Sequence, residues 1–251
     1  GVRPSVGGVA TLAWDPRRAT FFRAELFDAL EILNRGDIDF ERMKGSWAGA
    51  MGQPQFMPSS YLQYAEDHDG DGRRDIWGSP GDVFASIANY LKGHGWTRGQ
   101  RWGREVAMNA DVAAQIEAEV PRREGTCRAS RDMTAALPLV EWRRLGVRTV
   151  DGTALPEADL SAALVSGASR RFLVYGNYDA LLSYNCAHAY ALSVALLGDR
   201  LAAGRASAAP ARRSARPAHR TPARSRRAAA ESGRATAGGT ASRDGLTFER
   251  R

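Results

Sequence analysis

The sequence predicts an α+β fold that is mainly helical, with a small β-containing subdomain and a disordered C-terminal tail. Apolar residues recur at helical spacing in several segments up to residue 120. From residue 126 to 175, short apolar runs alternate with Gly, Asp and Pro, which favours strands and loops. We therefore expect a folded domain over 1–202, with the β subdomain at about 126–175, and a tail over 203–251.

The first predicted helix begins after Asp15 and Pro16. Its apolar side chains recur every three or four residues and are Phe22, Leu26, Leu30 and Leu33. Gly36 follows the last of them and suits the position just past a helix end. The segment is therefore expected to be an amphipathic helix.

The same spacing predicts three more helices. One follows the sequence SPGD, where Asp82 is the expected N-cap. Its repeating apolar residues are Val83, Ile87, Tyr90 and Leu91. A further helix covers 110–120, and a final one over 188–202 closes the fold.

Strands and cysteines are the main features of the middle region. The runs LPLVEW (137–142) and RRFLVYG (170–176) are the strand candidates. Cys127 and Cys186 are too few and too far apart in sequence for a structural metal site. They form either one disulfide or two buried thiols, and we slightly favour the thiols.

The net charge of +7 belongs to the tail. Residues 203–251 hold 12 Arg against 3 acids, whereas the rest of the chain has 23 bases and 25 acids. The folded part is therefore not expected to bind nucleic acid. The tail's Ala, Arg, Ser and Pro composition predicts a disordered linker, with weak contact to anionic polymers as the alternative. No apolar run approaches the roughly 18 to 20 residues that span a bilayer.

Small residues surround the glutamines of the stretch KGSWAGAMGQPQFMPSSY, residues 44–61. Glycine and alanine allow a close approach of backbone to backbone or to a ligand, and they occur here as Gly45, Ala48, Gly49, Ala50 and Gly52. The segment presents Ser46 and Gln55 beside aromatic residues, which suits an uncharged, hydroxyl-rich ligand such as a sugar. The alternative is a tight helix-packing corner whose glutamines only satisfy the backbone.

Four aspartates follow in the stretch DHDGDGRRDIW, residues 67–77. Asp67, Asp69, Asp71 and Asp75 occupy positions 1, 3, 5 and 9 of an EF-hand calcium loop, with Gly72 at position 6. Position 12, normally a bidentate Glu, is Gly78, so Asp82 is a candidate for the missing oxygens. We favour a structural calcium over an acidic turn neutralised by neighbouring arginines, since close carboxylates repel without a cation.

A second polar and aromatic segment is YGNYDALLSYNCAHAYAL, residues 175–192. Tyr184 and Asn185 suit a sugar site, although a tyrosine stripe on a terminal helix is more often part of the core.

These stretches together resemble the membrane-bound lytic murein transglycosylase B family, glycoside hydrolase family 103. The resemblance extends from Gly1 to about Leu201, in the same order along the chain, and its most specific part is the block that begins with KGSWAGAMG. It implies a lysozyme-like helical domain with a small inserted β subdomain. Carried over by motif, the substrate-contacting positions are Ser46, Gln55, Tyr90, Tyr184 and Asn185.

The resemblance also implies a reaction. Members of the family cleave the MurNAc–GlcNAc β-1,4 bond of peptidoglycan without water. A single Glu protonates the leaving oxygen and then deprotonates the C6 hydroxyl of MurNAc, which attacks C1 and gives a 1,6-anhydro end. An internal hydroxyl held close has a high effective concentration, so no second carboxylate is needed to activate water.

The family's acid lies in a pattern resembling E-[ST]-x-[FW]-G, whose final Gly aligns with Gly1. We therefore expect the catalytic Glu ahead of Gly1, no catalytic residue within this chain, and an inactive fragment; Glu25 lacks a motif that would make it a replacement. The rival hypotheses are a non-catalytic peptidoglycan-binding module and a calcium-stabilised structural domain. The expected partner is the peptidoglycan glycan strand, and the protein is expected to be a monomer in the periplasm or cell envelope.

Overall fold

The computed structural model describes residues 2–167 and 169–208, and its first part is helical. The helices of this part are α1 (Ser5–Trp14), α2 (Ala19–Asn34), α3 (Pro58–Tyr64) and α4 (Pro80–Gly93). Two short strands, β1 (Arg3–Pro4) and β2 (Lys44–Gly45), pair antiparallel and join the start of α1 to the segment after α2. The helices enclose one apolar core in which Val9, Ile32 and Tyr61 are fully buried.

The structure confirms the predicted helices α2 and α4 and corrects two details. The predicted apolar stripe of α2 included Leu30, but Leu30 is exposed, and the buried residues are Phe22, Glu25, Ala29 and Ile32. The buried face of α2 thus begins at Phe22 and includes one charged residue type, Glu25. At α4 the N-cap is Ser79, whose side chain accepts a hydrogen bond from the backbone N–H of Asp82, so Asp82 lies inside the first turn.

The β subdomain is larger than predicted. Its elements are β3 (Gly103–Ala107), α5 (Ala110–Glu119), α6 (Arg128–Arg131), β4 (Leu137–Pro138), α7 (Leu139–Arg144), β5 (Arg148–Thr149), β6 (Ser161–Ser166) and β7 (Arg171–Val174). These strands form an antiparallel sheet of order β4-β6-β7-β3-β5. The predicted boundary near 126 is therefore wrong, since β3 precedes it and lies between β7 and β5 in the sheet. The run LPLVEW contributes mainly to helix α7, whereas RRFLVYG contains strand β7 as predicted.

The sheet is buried on both faces. Along β6, Ala163 and Val165 pack with the last two helices of the described chain, Gly176–Tyr184 and His188–Ala208. Ala162 and Leu164 point to the other face and pack against α5 and α7. Trp142 of α7 is fully buried, and its indole N–H donates to the carbonyl of Ala162 at 2.9 Å. This double burial explains why the strands appear in the sequence as continuous apolar runs and not as alternating ones.

Two helices, α8 (Gly176–Tyr184) and α9 (His188–Ala208), close the described part of the chain. Helix α9 continues past the predicted boundary at residue 202, which follows from the high helix propensity of its Ala- and Arg-rich end. The tail was predicted to be disordered over 203–251; this is wrong for 203–208, which belong to α9, and residues 209–251 lie outside the described residues. The mainly helical α+β fold is confirmed.

Cys127 and Cys186 form a disulfide with a Cα–Cα distance of 5.8 Å. The preference for two buried thiols was therefore wrong. The cysteines are 59 residues apart in sequence, and only the packing of α6 beside the corner between α8 and α9 brings them within bonding distance.

Within the described residues, no single helix is both long enough and apolar enough to cross a membrane. One pair of helices, Gly176–Tyr184 and His188–Gly204, meets the length and composition criteria together, but a bend of 120° separates its members.

Glycines in the segment after β2 permit its close packing on α1 and on itself. A Cβ added at Gly45 would lie 1.9 Å from the carbonyl oxygen of Ala50, and one at Gly49 would lie 2.1 Å from Cγ1 of Val9. Gly49 also has a φ of 89°, which side chains of L-residues rarely adopt. Gly45 and Gly49 thus allow the backbone of this segment to pack closely against itself and against α1, as the packing-corner alternative predicted.

We expect Gly49→Ala to destabilise the protein because it adds both backbone strain and a clash with Val9. The free energy of unfolding should fall by about 2–4 kcal/mol, measured by urea denaturation. Gly7→Ala is the matched control, because a Cβ at Gly7 on α1 meets nothing within 4 Å. It should leave stability unchanged or raise it by about 0.5–1 kcal/mol. Equal stability of the two variants would contradict the packing described for Gly49.

Candidate active site

A short backbone turn holds Gln55 in place. The backbone of Met51 and Phe56 forms two hydrogen bonds, from the Met51 N–H to the Phe56 carbonyl at 2.6 Å and in reverse at 3.1 Å. Within this turn Gln55 has a φ of 55°, and it is the one non-glycine residue with a positive φ in the described part of the chain. Its side-chain amide donates to the carbonyl of Gly52 at 2.7 Å. Non-glycine residues in this conformation are strained, and such strain clusters at functional sites.

The turn is fixed to the segment before α4. The backbone N–H of Gln53 donates to the carbonyl of Ile76, and its side-chain amide donates to the carbonyl of Trp77, both at 2.9 Å. In return, the indole N–H of Trp77 donates to the carbonyl of Lys44 at 2.8 Å. The middle of the turn and the strand before it are thus bonded to the segment that precedes α4, while Gln55 remains exposed.

Gln55, Tyr90 and Tyr184 line one cavity of about 380 Å³, which we call the Gln55 cavity. These three residues come from the turn before α3, from α4 and from α8. The cavity also has the following lining residues: Phe21, Glu25, Phe56, Met57, Ser59, Ser60 and Ser183. Three of the five sequence-predicted contact residues are therefore brought together by the fold.

Aromatic rings form the apolar part of this cavity. The ring centroid of Tyr90 lies 5.4 Å from that of Phe56 and 4.8 Å from that of Tyr184. The Tyr90 hydroxyl donates to the carbonyl of Ser183 at 2.9 Å, and the Tyr184 hydroxyl donates to the carbonyl of Pro54 at 2.6 Å. Burial raises the pKa of Tyr90 and of Tyr184 above the ordinary value, so both phenols remain protonated at neutral pH. Their oxygens retain lone pairs that can accept from a ligand hydroxyl.

Glu25 is the one carboxylate among the described residues that line the Gln55 cavity. It is 3% exposed, and its two oxygens accept from Ser59, one from the backbone N–H at 3.0 Å and one from the hydroxyl at 2.8 Å. Ser59 lies in the first turn of α3, which has no side-chain cap of its own at Met57. Glu25 therefore accepts from a backbone N–H that has no partner within this seven-residue helix. Its carboxylate also interacts favourably with the positive end of the helix dipole.

Ser46 and Asn185 do not line the Gln55 cavity in the described structure. The Ser46 hydroxyl accepts from the backbone N–H groups of Ala48 and Ala50, at 3.3 and 3.1 Å, and so helps to close the turn after β2. Asn185 is exposed and directly follows Tyr184, at the C-terminal end of α8. Both residues therefore flank the segments that supply the cavity.

The acidic loop brings two of the four predicted aspartates together with Asp82, the candidate for the missing oxygens. Ligand oxygens of Asp67, Asp69 and Asp82 lie within 4.8 Å of one another. Asp82 is fully buried and accepts from the backbone N–H groups of His68 and Asp75, both at 2.8 Å. The carboxylates of Asp71 and Asp75 are not part of this cluster, and they accept from backbone N–H groups of their own loop, as those of Asp67 and Asp69 also do. Carboxylate oxygens are the ligands that Ca²⁺ prefers, so the group of three fits this ion.

Sequence analysis missed the placement of Glu25 and Ser183 in the Gln55 cavity. Glu25 was considered only as a possible acid, yet its position on the otherwise apolar face of α2 indicated burial and a need for hydrogen-bond partners. Ser183 contributes its carbonyl to Tyr90, and nothing in the sequence pattern indicated that contact.

Comparisons with known proteins agree with this fold. Residues 1–199 match the transglycosylase SLT domain family. The chain is 36% identical to membrane-bound lytic murein transglycosylase B of Escherichia coli (strain K12) over 198 residues, which are 78% of this chain and 50% of that relative. It thus spans about half the length of the curated relative it matches.

Two solved structures have the same fold. SltB3 from Pseudomonas aeruginosa, in complex with NAG-anhNAM-pentapeptide, is 44% identical with a TM-score of 0.70, over 80% of this chain and 52% of SltB3. SLT35 from Escherichia coli, in complex with calcium, is 31% identical with a TM-score of 0.65, over 82% of this chain and 61% of SLT35. The lysozyme-like transglycosylase fold is thereby confirmed. The chain belongs to the transglycosylase SLT domain family, as its resemblance to the lytic murein transglycosylase B family predicted.

Proposed function

We propose that these residues form the glycan-binding cleft of a lytic murein transglycosylase. Such an enzyme cleaves the MurNAc–GlcNAc β-1,4 bond of peptidoglycan and leaves a 1,6-anhydroMurNAc end. The observation that carries the proposal is the Gln55 cavity, which combines aromatic faces with neutral amide and hydroxyl groups in a member of this family. Ser46 and Asn185 remain predicted contact residues outside the lining of this cavity.

The chemistry of the cavity suits a sugar chain. The faces of Phe56, Tyr90 and Tyr184 offer apolar contact to the C–H face of a pyranose ring. The tyrosine oxygens and the Gln55 amide oxygen offer acceptors for sugar hydroxyls, and none of these groups carries a charge at neutral pH. A neutral ligand with many hydroxyls therefore loses its hydration at little electrostatic cost in this cavity.

The proposed reaction needs one proton donor that later becomes a base. The donor protonates the glycosidic oxygen as the bond to C1 breaks; the C6 hydroxyl then attacks C1 and returns a proton to the donor. We assign this role to the Glu of the family motif E-[ST]-x-[FW]-G, a pattern that does not occur in the 251 residues. Glu25 is not assigned, because both of its oxygens accept hydrogen bonds from Ser59.

The same observation favours a second candidate function, a peptidoglycan-binding module without catalysis. Both oxygens of Glu25, the one carboxylate among the described residues of the cavity, accept from the backbone N–H and the hydroxyl of Ser59 at the start of α3. Under this alternative, the Gln55 cavity binds the glycan strand and releases it unchanged.

We also propose that Asp67, Asp69 and Asp82 hold a structural calcium ion, with Asp71 and Asp75 as further ligands that remain predictions. The relative SLT35 was solved in complex with calcium, and the three clustered carboxylates of this chain support the proposal. Binding would connect the loop before α4 to Asp82 in the first turn of that helix, on which Tyr90 lies.

The proposed location is the periplasm or cell envelope, where peptidoglycan lies. The disulfide between Cys127 and Cys186 supports an oxidising compartment. A monomeric state stays a prediction.

We expect the 251-residue chain to bind purified peptidoglycan and to release no 1,6-anhydromuropeptides from it. Binding is measured by co-sedimentation, and products are identified by mass spectrometry of the soluble fraction. Lytic murein transglycosylase B of Escherichia coli serves as the positive control. If the chain releases anhydro products, an acid of this chain performs the reaction. Glu25→Gln then becomes the decisive variant, and its inactivity would reverse our assignment.

Gln55→Ala should weaken binding of chitotetraose about three- to tenfold, because one side-chain hydrogen bond to the glycan is lost. Gln55→Gly should weaken binding equally, yet it should be more stable than the alanine variant by about 1 kcal/mol because glycine relieves the positive φ. Binding is measured by calorimetry and stability by urea denaturation.

Gln63→Ala is the control, since Gln63 is exposed on α3 and does not line the Gln55 cavity. It should bind as tightly as the wild type. Wild-type affinity in the Gln55→Ala variant would remove Gln55 from the proposed site.

Calcium at millimolar concentration should raise the melting temperature by several degrees, because it binds the native state preferentially. Asp67→Asn should abolish the increase, whereas Asp159→Asn, an equal charge change in an exposed part of the β subdomain, should retain it. Differential scanning calorimetry with and without EDTA measures the effect. If calcium raised the melting temperature of Asp67→Asn and of the wild type equally, the loop would be an acidic turn that does not bind calcium.

A further inference from the structure

A second cavity of about 500 Å³, which we call the Arg123 cavity, lies beside the Gln55 cavity. Ser183 lines both cavities. In addition, the ring of His94 in the Arg123 cavity stacks on Tyr90 of the Gln55 cavity, with centroids 4.0 Å apart. The two cavities are therefore adjacent, and a substituent of a ligand in one can reach the other.

The two cavities differ in charge. The Gln55 cavity presents mainly neutral groups, whereas Arg123, Glu124 and Asp179 line the Arg123 cavity. Nη1 of Arg123 donates to Oδ1 of Asp179 at 2.6 Å, and these side chains are 36% and 40% exposed. A half-exposed ion pair contributes little to stability, so folding alone does not account for these charges.

The side chains of Arg123, Glu124 and Asp179 can each form further hydrogen bonds to a ligand. A guanidinium has five N–H donors, and Arg123 uses one of its side-chain donors within the described residues. Glu124 is exposed, and its carboxylate can accept from an amine. The Arg123 cavity can thus bind a carboxylate and an ammonium group of the same ligand.

The walls of the Arg123 cavity are covalently joined. Cys127 ends the loop that carries Arg123 and Glu124, and Cys186 follows α8, which carries Asp179; the disulfide between the cysteines lines the cavity. The Arg131 guanidinium also donates to two carbonyls of that loop, each at 3.0 Å. Walls held in this way lose little conformational entropy on binding, which favours affinity.

We propose that the Arg123 cavity is a subsite for the charged peptide that substitutes the glycan strand. This inference rests on the proposed function, because it places the sugar in the Gln55 cavity. The peptide of peptidoglycan carries free carboxylates and, at its diamino acid, a free amine. A carboxylate binds Arg123, and the amine binds Glu124 and Asp179. The subsite distinguishes peptide-bearing glycan from bare glycan.

The test compares two ligands on the full chain, NAG-NAM-pentapeptide and the peptide-free disaccharide NAG-NAM. Neither contains the MurNAc–GlcNAc bond of the proposed reaction, so calorimetry measures binding without turnover. The wild type should bind the pentapeptide ligand about tenfold more tightly, as charge-assisted hydrogen bonds imply. Arg123→Met should abolish this preference and leave the affinity for NAG-NAM within twofold.

Arg122→Met is the matched control. Arg122 is the preceding residue, pairs with Glu117 at 2.6 Å and does not line the Arg123 cavity, so the preference should remain. Glu124→Gln, at an exposed position, provides a second variant that keeps the fold and should weaken only the pentapeptide ligand.

Equal wild-type affinity for the two ligands would overturn the subsite while leaving the glycan site intact. A parallel loss of both affinities in Arg123→Met and Glu124→Gln would also overturn it, because these residues would then support the fold alone. If neither ligand binds the wild type, the proposed function itself fails, and the subsite fails with it.

Discussion

The closure of the turn between Met51 and Phe56 is the constraint on which the candidate site depends. Two backbone hydrogen bonds across so few residues leave Gln55 in a left-handed conformation that costs roughly 1–2 kcal/mol. That cost is offset by the packing around it, since Phe56 is 2% exposed and contacts Tyr90 and Tyr184. The strained residue therefore lies at the surface because its neighbour is anchored in the core.

The Gln55 cavity exists because three segments far apart in sequence meet at this turn. Tyr184 of α8 bonds to the carbonyl of Pro54, and Tyr90 of α4 bonds to the carbonyl of Ser183. Each bond joins a phenol to the backbone of another segment, so the rings are fixed in position. Glu25 adds the fourth side by holding the start of α3. A rigid surface of mainly neutral groups is pre-organised for a polar, neutral ligand.

The β subdomain and the helical part are connected next to this surface. The disulfide joins Cys127, at the start of α6, to Cys186, one residue beyond Asn185. Asn177 of α8 strengthens the connection, since its side chain bonds to the backbone of Thr97 and Gln100. The corner that carries Tyr184 is thus held from two directions, and the charged residues of the neighbouring loop are kept at a fixed distance from it.

Local pattern in the sequence was sufficient for much of the fold. Helical spacing predicted α2 and α4, and the ordered motifs predicted the family. Gln55, Tyr90 and Tyr184, three of the five predicted contact residues, line one cavity, and their contact with a ligand stays a prediction. Pattern failed where a distant partner decides the outcome. Strand β3 was missed because only pairing with β7 and β5 makes it a strand, and Leu30 was misassigned because the angle of α2 to its neighbours decides which face is buried.

The sequence by itself determined the composition of the site, a set of neutral amides and aromatic rings beside a loop of aspartates. The tertiary structure decided which of them meet. It joined Cys127 to Cys186, placed Asp82 with Asp67 and Asp69, and left Ser46 and Asn185 outside the Gln55 cavity. The physical reason is that periodicity reports only which side of an element is apolar, whereas a contact between residues distant in the chain depends on how the elements pack.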